Sequence, residues 1–215
     1  MLDKKGRASR PAIYGDEGLL AHIELASATH KPLLRELLCD YLAESGSDSD
    51  YPYFDAYWEE VESRWPYLIL QDGHLIGFAF VNTWSASGKG TDFSIAEFYI
   101  IPNARRYGIG RDAATAVLHA HPGLWELSVM PLNAPAQEFW PRVIEAADGR
   151  DVERIQSDGK TIYRFVISPK KAGLRAVSGP AGGRRRPPVR GKRLVRSVTN
   201  ADARAARRNV HRFPW

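Results

Sequence analysis

An α/β fold of the α+β kind, a sheet flanked by helices and followed by a basic tail, is what this chain predicts, and three observations carry the prediction. First, the extended apolar run Ala96-Glu97-Phe98-Tyr99-Ile100-Ile101-Pro102 precedes a glycine turn, Arg105-Arg106-Tyr107-Gly108-Ile109-Gly110. That turn opens into the helix-forming stretch Arg111-Asp112-Ala113-Ala114-Thr115-Ala116-Val117-Leu118. Second, further apolar, β-rich runs stand on both sides of this unit, so several strands share one core. Third, the charge changes sign near residue 169. Positions 1–168 hold 16 Lys and Arg against 24 Asp and Glu, a net −8, whereas positions 169–215 hold 14 against 1, a net +13. At 215 residues and 44% apolar content the chain can bury one good core, and the order of elements leaves no room for a second. The expected plan is a flexible segment over 1–20, one folded domain over 21–168 and a disordered, arginine-rich tail over 169–215.

Leu33, Leu34, Leu37, Leu38, Tyr41 and Leu42 recur at helical spacing and predict a helix with Cys39 packed into it. From Asp48 to Glu62, aromatics alternate with carboxylates. An amphipathic helix burying Phe54, Tyr57, Trp58 and Val61 explains that pattern, and so does a surface receiving a cationic amine through cation–π and ion-pair contacts. Tyr67-Leu68-Ile69-Leu70-Gln71 and Leu75-Ile76-Gly77-Phe78-Ala79-Phe80-Val81 flank Asp72-Gly73-His74 and predict a hairpin. Beyond the glycine turn, Trp125-Glu126-Leu127-Ser128-Val129 predicts a strand. Asn133 then fits as the N-cap of a helix with Pro135 in its first turn, and Pro141 should kink that helix or restrict its start. From Pro169 the chain has no hydrophobic periodicity and cannot offset its ordering entropy by burial.

A strand, a glycine turn and a helix start in that order build an anion site. Glycines let consecutive backbone N–H groups turn toward one anion, the helix N-terminus adds partial positive charge, and Arg105, Arg106 and Arg111 add formal charge. A Walker A loop needs Lys and Ser or Thr after its last glycine, where Arg111 and Asp112 stand here, which argues against a nucleotide triphosphatase. A Rossmann fingerprint needs a third glycine where Ala113 stands. A solvated basic turn without a ligand is the plainer alternative.

What Arg105-x-x-Gly108-x-Gly110 does match is the R/Q-x-x-G-x-G/A signature of the GNAT superfamily of acetyltransferases, and the sequence resembles that family from about His22 to about Ile167. The resemblance implies a mixed, twisted central sheet flanked by helices. It implies acetyl-coenzyme A as co-substrate, transferring its acetyl group directly to an amine without a covalent enzyme intermediate. It places the pantetheine arm along Phe98, Tyr99 and Ile100, with Asn133 nearby, and the pyrophosphate among Arg105, Arg106, Tyr107, Gly108, Ile109, Gly110 and Arg111. Many family members carry a glutamate in the strand before the loop, which makes Glu97 the candidate general base. A lone carboxylate in an apolar strand has its pKa raised toward a useful value by desolvation. This strand commonly bulges in the family, so alternation cannot fix which face Glu97 takes. The chain departs from the family where a tyrosine usually protonates the leaving thiolate: Trp140 stands there, and an indole N–H is far too weak an acid.

Net charge −8 over the folded part tilts the expected acceptor toward a basic one, a small-molecule amine or a lysine. The tail could hold nucleic acid or another polyanion through counterion release. The rival reading is a catalytically idle module of the same fold that binds coenzyme A or a partner and docks through that tail. One cysteine excludes a disulfide framework within the chain, and the six histidines show no His-x-x-x-His pair, so no metal is expected. Without a signal-like segment or a run of about 18 apolar residues, a cytoplasmic protein without membrane contact is expected. A homodimer stays open.

Overall fold

The computed structural model describes residues 21–46, 51–59 and 63–169. The expected flexible segment over 1–20 and the basic tail from 170 lie outside the described residues. Within them, seven strands form one sheet: β1 (Ala21–Leu25), β2 (Arg64–Gln71), β3 (His74–Asn82), β4 (Phe93–Ile100), β5 (Gly123–Val129), β6 (Arg150–Ser157) and β7 (Lys160–Ile167). Their spatial order is β1-β2-β3-β4-β5-β7-β6. All neighbours are antiparallel except β4 and β5, so the sheet is mixed. Helix α1 (Lys31–Glu44) packs on one face, α2 (Ile109–Ala120) and α3 (Ala134–Ala146) on the other.

Strand alternation explains the two layers. Phe78 and Phe80 join Leu34, Leu37, Leu38 and Leu42 of α1, while their neighbours Ala79 and Val81 join Ala114, Val117 and Leu118 of α2 and Val143 and Ile144 of α3. The predicted hairpin closes through Asp72 and Gly73, both at positive φ (51° and 77°), the geometry that suits an Asp-Gly pair. A second Asp-Gly turn, Asp158-Gly159, joins β6 to β7.

Three expectations change. Cys39 is exposed, because the buried stripe of α1 runs through Leu34, Leu37, Leu38 and Leu42 instead. Among the described residues after 50, the aromatic segment forms a short 3-10 turn over Asp55–Trp58 rather than an amphipathic helix, and Val61 lies outside the described residues. Phe54 and Tyr57 are buried there against Phe80, with ring centroids 6.1 and 4.5 Å away. Asp55 pairs with Lys31 and Arg35 of α1, at 2.8 and 2.9 Å. Finally, α3 begins at Ala134 and continues through Pro141, so that proline does not restrict the helix start.

Candidate active site

The parallel pairing of β4 with β5 covers only Phe93–Ile95 against Trp125–Leu127. From Ala96 onward the two strands diverge, so the edge of β4 turned away from β3 has no strand partner. The closed end is fastened by Asp92 N–H donating to Leu124 O (3.0 Å), Leu124 N–H donating to Asp92 Oδ2 (2.9 Å) and the Thr91 hydroxyl on Leu124 O (2.8 Å). A fastened end and an open end make a wedge able to accept an extended chain through backbone hydrogen bonds.

At the apex of the wedge β4 bulges. Phe80 pairs with Glu97 and Val81 with Ile95, which leaves Ala96 as the extra residue. The bulge decides the facing that alternation could not. Ile95 belongs to the α2/α3 layer, whereas Glu97 and Tyr99 turn to the α1 layer, and Phe98 returns to stack on Phe139 (5.6 Å) and against Trp140 (5.5 Å). Glu97 accepts a hydrogen bond from the Tyr41 hydroxyl at 2.7 Å. Burial pushes the Glu97 carboxyl up to about 7, against the opposing effects of the Tyr41 hydrogen bond and of the Lys160 charge. Tyr51 and Tyr57 also feel the Glu97 charge, and all three phenols are pushed above their usual range mainly by burial. Sequence reasoning missed Tyr41: it lies 56 residues from Glu97, and only the α1 periodicity hinted that it faces the sheet.

The glycine turn sits at the open end of the wedge. Gly108 caps α2 at φ 83° without a side-chain acceptor, so the first N–H groups of α2 have neither an intrahelical partner nor a cap. Gly110 lies in van der Waals reach of Ile100 and Phe139, where a Cβ would stand 3.4 and 3.6 Å from them. The three arginines diverge. Arg105 turns inward: its Nε donates to Ile100 O (2.6 Å) and its two terminal nitrogens grip the Glu44 carboxylate (2.6 and 2.7 Å). It also lies over the Tyr99 ring at 5.3 Å. The Arg105 hydrogen bond holds Glu44 below its ordinary range. Arg111 rests on its neighbour Asp112 at 3.0 Å. Arg106 stands at φ 72° and is exposed, as are Tyr107 and Gly108, while Ile109 is buried beneath the turn.

Asn133 caps α3 by accepting from Ala136 N–H (3.1 Å) and is itself exposed. Trp140 is buried in the α2/α3 layer with no ionisable group in its place. Among the described residues no three His, Cys, Asp or Glu side chains are placed to hold a metal ion, and no helix is long and apolar enough to cross a membrane.

The acetyltransferase (GNAT) family model matches residues 31–144, which span α1 through nearly all of α3. No curated protein matches the sequence. Among solved structures the chain is similar to an acetyltransferase from Thermus thermophilus, at 17% identity and a TM-score of 0.51 over 69% of this chain and 97% of that one. It is also similar to the aminoglycoside acetyltransferase AAC(6')-Ib solved with coenzyme A, at 15% identity and a TM-score of 0.53 over 69% and 95%. An acetyltransferase of the GNAT family from Bacillus cereus gives 16% identity and a TM-score of 0.50 over 70% and 98%. At these identities the likeness is one of fold, and the family model carries the assignment. A wedge between two parallel strands, a bulge at its apex and an uncapped glycine turn at its mouth are thus set in a chain that belongs to the acetyltransferase (GNAT) family.

Proposed function

We propose that the protein transfers an acetyl group from acetyl-coenzyme A directly to a primary amine, with Glu97 as the group that moves the proton. The observation that carries this reading is the bulge at Ala96, which turns Glu97 out of the α2/α3 layer to the apex of the wedge, under a phenol and with a carboxyl pushed to about 7. The pantetheine arm would pair with the free edge of β4 along Phe98, Tyr99 and Ile100, beside Asn133. The pyrophosphate would meet the uncapped N–H groups at Gly108, Ile109 and Gly110, with Arg106, Arg111 and Tyr107 around it. Arg105 would then act by fixing the loop to α1 through Glu44 rather than by touching phosphate. A cytoplasmic setting and an acceptor drawn from small-molecule amines or lysine belong to the same proposal.

Magnitudes decide how the chain manages without a tyrosine at Trp140. A thiol ionises near about 8.5, and a phenol in its ordinary range near about 10. Tyr41 and Tyr99 are both raised by burial, so either would be a weaker acid than the thiol it had to protonate. Glu97, once it has taken the proton shed by the attacking nitrogen, is an acid of about 7 and gives that proton to the thiolate downhill. One carboxyl serves as base and then as acid, while the C–N bond forms and the C–S bond breaks. Backbone N–H groups on the free edge of β4 are suited to the oxyanion.

Calorimetric titration of acetyl-coenzyme A tests the donor half. Wild type should bind, and Arg106→Ala should weaken binding about tenfold. Glu97→Gln should keep the affinity and lose turnover of amines by about a hundredfold or more. Absence of binding by wild type would leave a shared fold without the chemistry.

A further inference from the structure

A cleft of about 250 Å³ opens where β2 begins and β3 ends and is lined by Ser63, Arg64, Asn82, Thr83 and Trp84. Every one of these residues can donate a hydrogen bond through its side chain, and among the described residues no carboxylate lines the cleft. Arg64 makes no ion pair among the described residues; its guanidinium lies over the Tyr57 ring at 5.6 Å. The floor is held in place. Trp84 N–H donates to Asn82 Oδ1 at 3.0 Å. The loop that follows is tied to Glu126 by Ser85 (3.0 Å) and by the Ser87 hydroxyl (2.6 Å) and N–H (3.1 Å). Trp84 itself stays 65% exposed above this fixed loop.

Register connects the cleft to Glu97. Arg64 pairs with Asn82 on β3, and Asn82 lies two residues beyond Phe80, the partner of Glu97, on the same α1-side face. Tyr57 stacks on Phe80 at 4.5 Å and also carries the Arg64 guanidinium over its ring, and it feels the charges of both Glu97 and Arg64. With strands about 4.8 Å apart and about 3.3 Å per residue, Arg64 and Glu97 are separated by two strand spacings and about two residues, on the order of 10 Å.

We infer that this cleft is an anion subsite of the acceptor, so that the amine substrate carries a carboxylate or comparable anionic group on the order of 10 Å from its nucleophilic nitrogen. The inference rests on the acetyl-transfer reading for the identity of Glu97 as the amine end. It departs from a purely cationic acceptor, which the net charge of −8 suggests, because recognition follows local charge and Arg64 is the charged side chain that lines the cleft among the described residues.

The test is binding of aminooctanoate, aminobutyrate and octylamine to the full chain with coenzyme A present, followed by heteronuclear NMR, in wild type, Arg64→Gln and Arg64→Lys. Aminooctanoate should bind wild type about tenfold more tightly than octylamine, and aminobutyrate, too short to bridge, should gain no such advantage. Arg64→Gln should erase the preference and Arg64→Lys should restore part of it. Equal binding of aminooctanoate and octylamine to wild type, or a preference that survives in Arg64→Gln, overturns the subsite. Acetyl-coenzyme A titrated into separate samples of the same three proteins, free of coenzyme A and amine, reports folding and separates the two readings. A preference without donor binding sinks acetyl transfer and keeps the subsite, whereas donor binding without a preference does the reverse.

Discussion

Glu97 combines two properties that a surface carboxylate does not have: a carboxyl pushed to about 7 by burial and a phenol, Tyr41, that favours its charged form. Because the raised value lies above the unfolded one, the folded chain binds a proton more tightly than the unfolded chain, and Glu97 lowers stability as pH rises from about 4.5 through 7. Glu97→Gln should therefore stabilise the fold at pH 8 by on the order of 1–3 kcal/mol and make little difference near pH 4, which thermal melts at the two pH values will show. A melt unchanged at pH 8 would mean that the carboxyl is solvated. The same sign governs activity: turnover should rise with pH through about 7 as the base loses its proton. In Tyr41→Phe the hydrogen bond that favours the carboxylate is gone, so the acid limb should move to higher pH; a fixed limb with a lower plateau would make Tyr41 a packing residue only.

The elements themselves were largely legible, and the failures have identifiable causes. Asp72-Gly73, the Asn133 cap and the strand, glycine turn and helix from Ala96 to Leu118 could be read because each depends on residues within a few positions of one another. The β6–β7 hairpin carried the same Asp-Gly signal at Asp158-Gly159 and could have been found by it. Around Tyr57 the helical spacing does not become a helix, because the aromatics there are fixed by tertiary contact with Phe80, which no local period records. The role of Glu126 was invisible for the same reason. It reads as one polar residue in an apolar strand, yet it is fully buried beneath Ser85, Ser87 and Arg164, the last at 2.7 Å, and these hydrogen bonds hold it below its ordinary range against the opposing effect of burial. It fastens the loop after β3 to the closed end of the wedge. Glu126→Ala should cost roughly 3–5 kcal/mol, as expected when one member of a buried pair is removed, measured by urea denaturation. A loss under about 1 kcal/mol would show that the loop is held elsewhere.

Across the whole molecule the two charge blocks should act on the same ligand. Acetyl-coenzyme A is a polyanion, and residues 1–168 carry a net −8, so the domain by itself should repel the proposed donor at long range even though the glycine turn would attract it locally. Residues 169–215, at +13, reverse the sign of the chain as a whole. A chain ending at residue 168 should therefore take up acetyl-coenzyme A more slowly than the full chain in stopped-flow mixing at low salt. The difference should shrink near about 0.15 M salt, where the screening length is about 8 Å. The same pair of chains answers the polyanion question. The acidic domain offers no reason to hold duplex DNA, so any salt-dependent anisotropy signal of the full chain should vanish on truncation. Its slope in log salt should count the phosphates neutralised at about 0.9 each. Salt-dependent DNA binding by the truncated chain would place the contact on the folded domain. Uptake of the donor that is equally fast in both chains would show that the field at the glycine turn is set by Arg106, Arg111 and the α2 N-terminus alone.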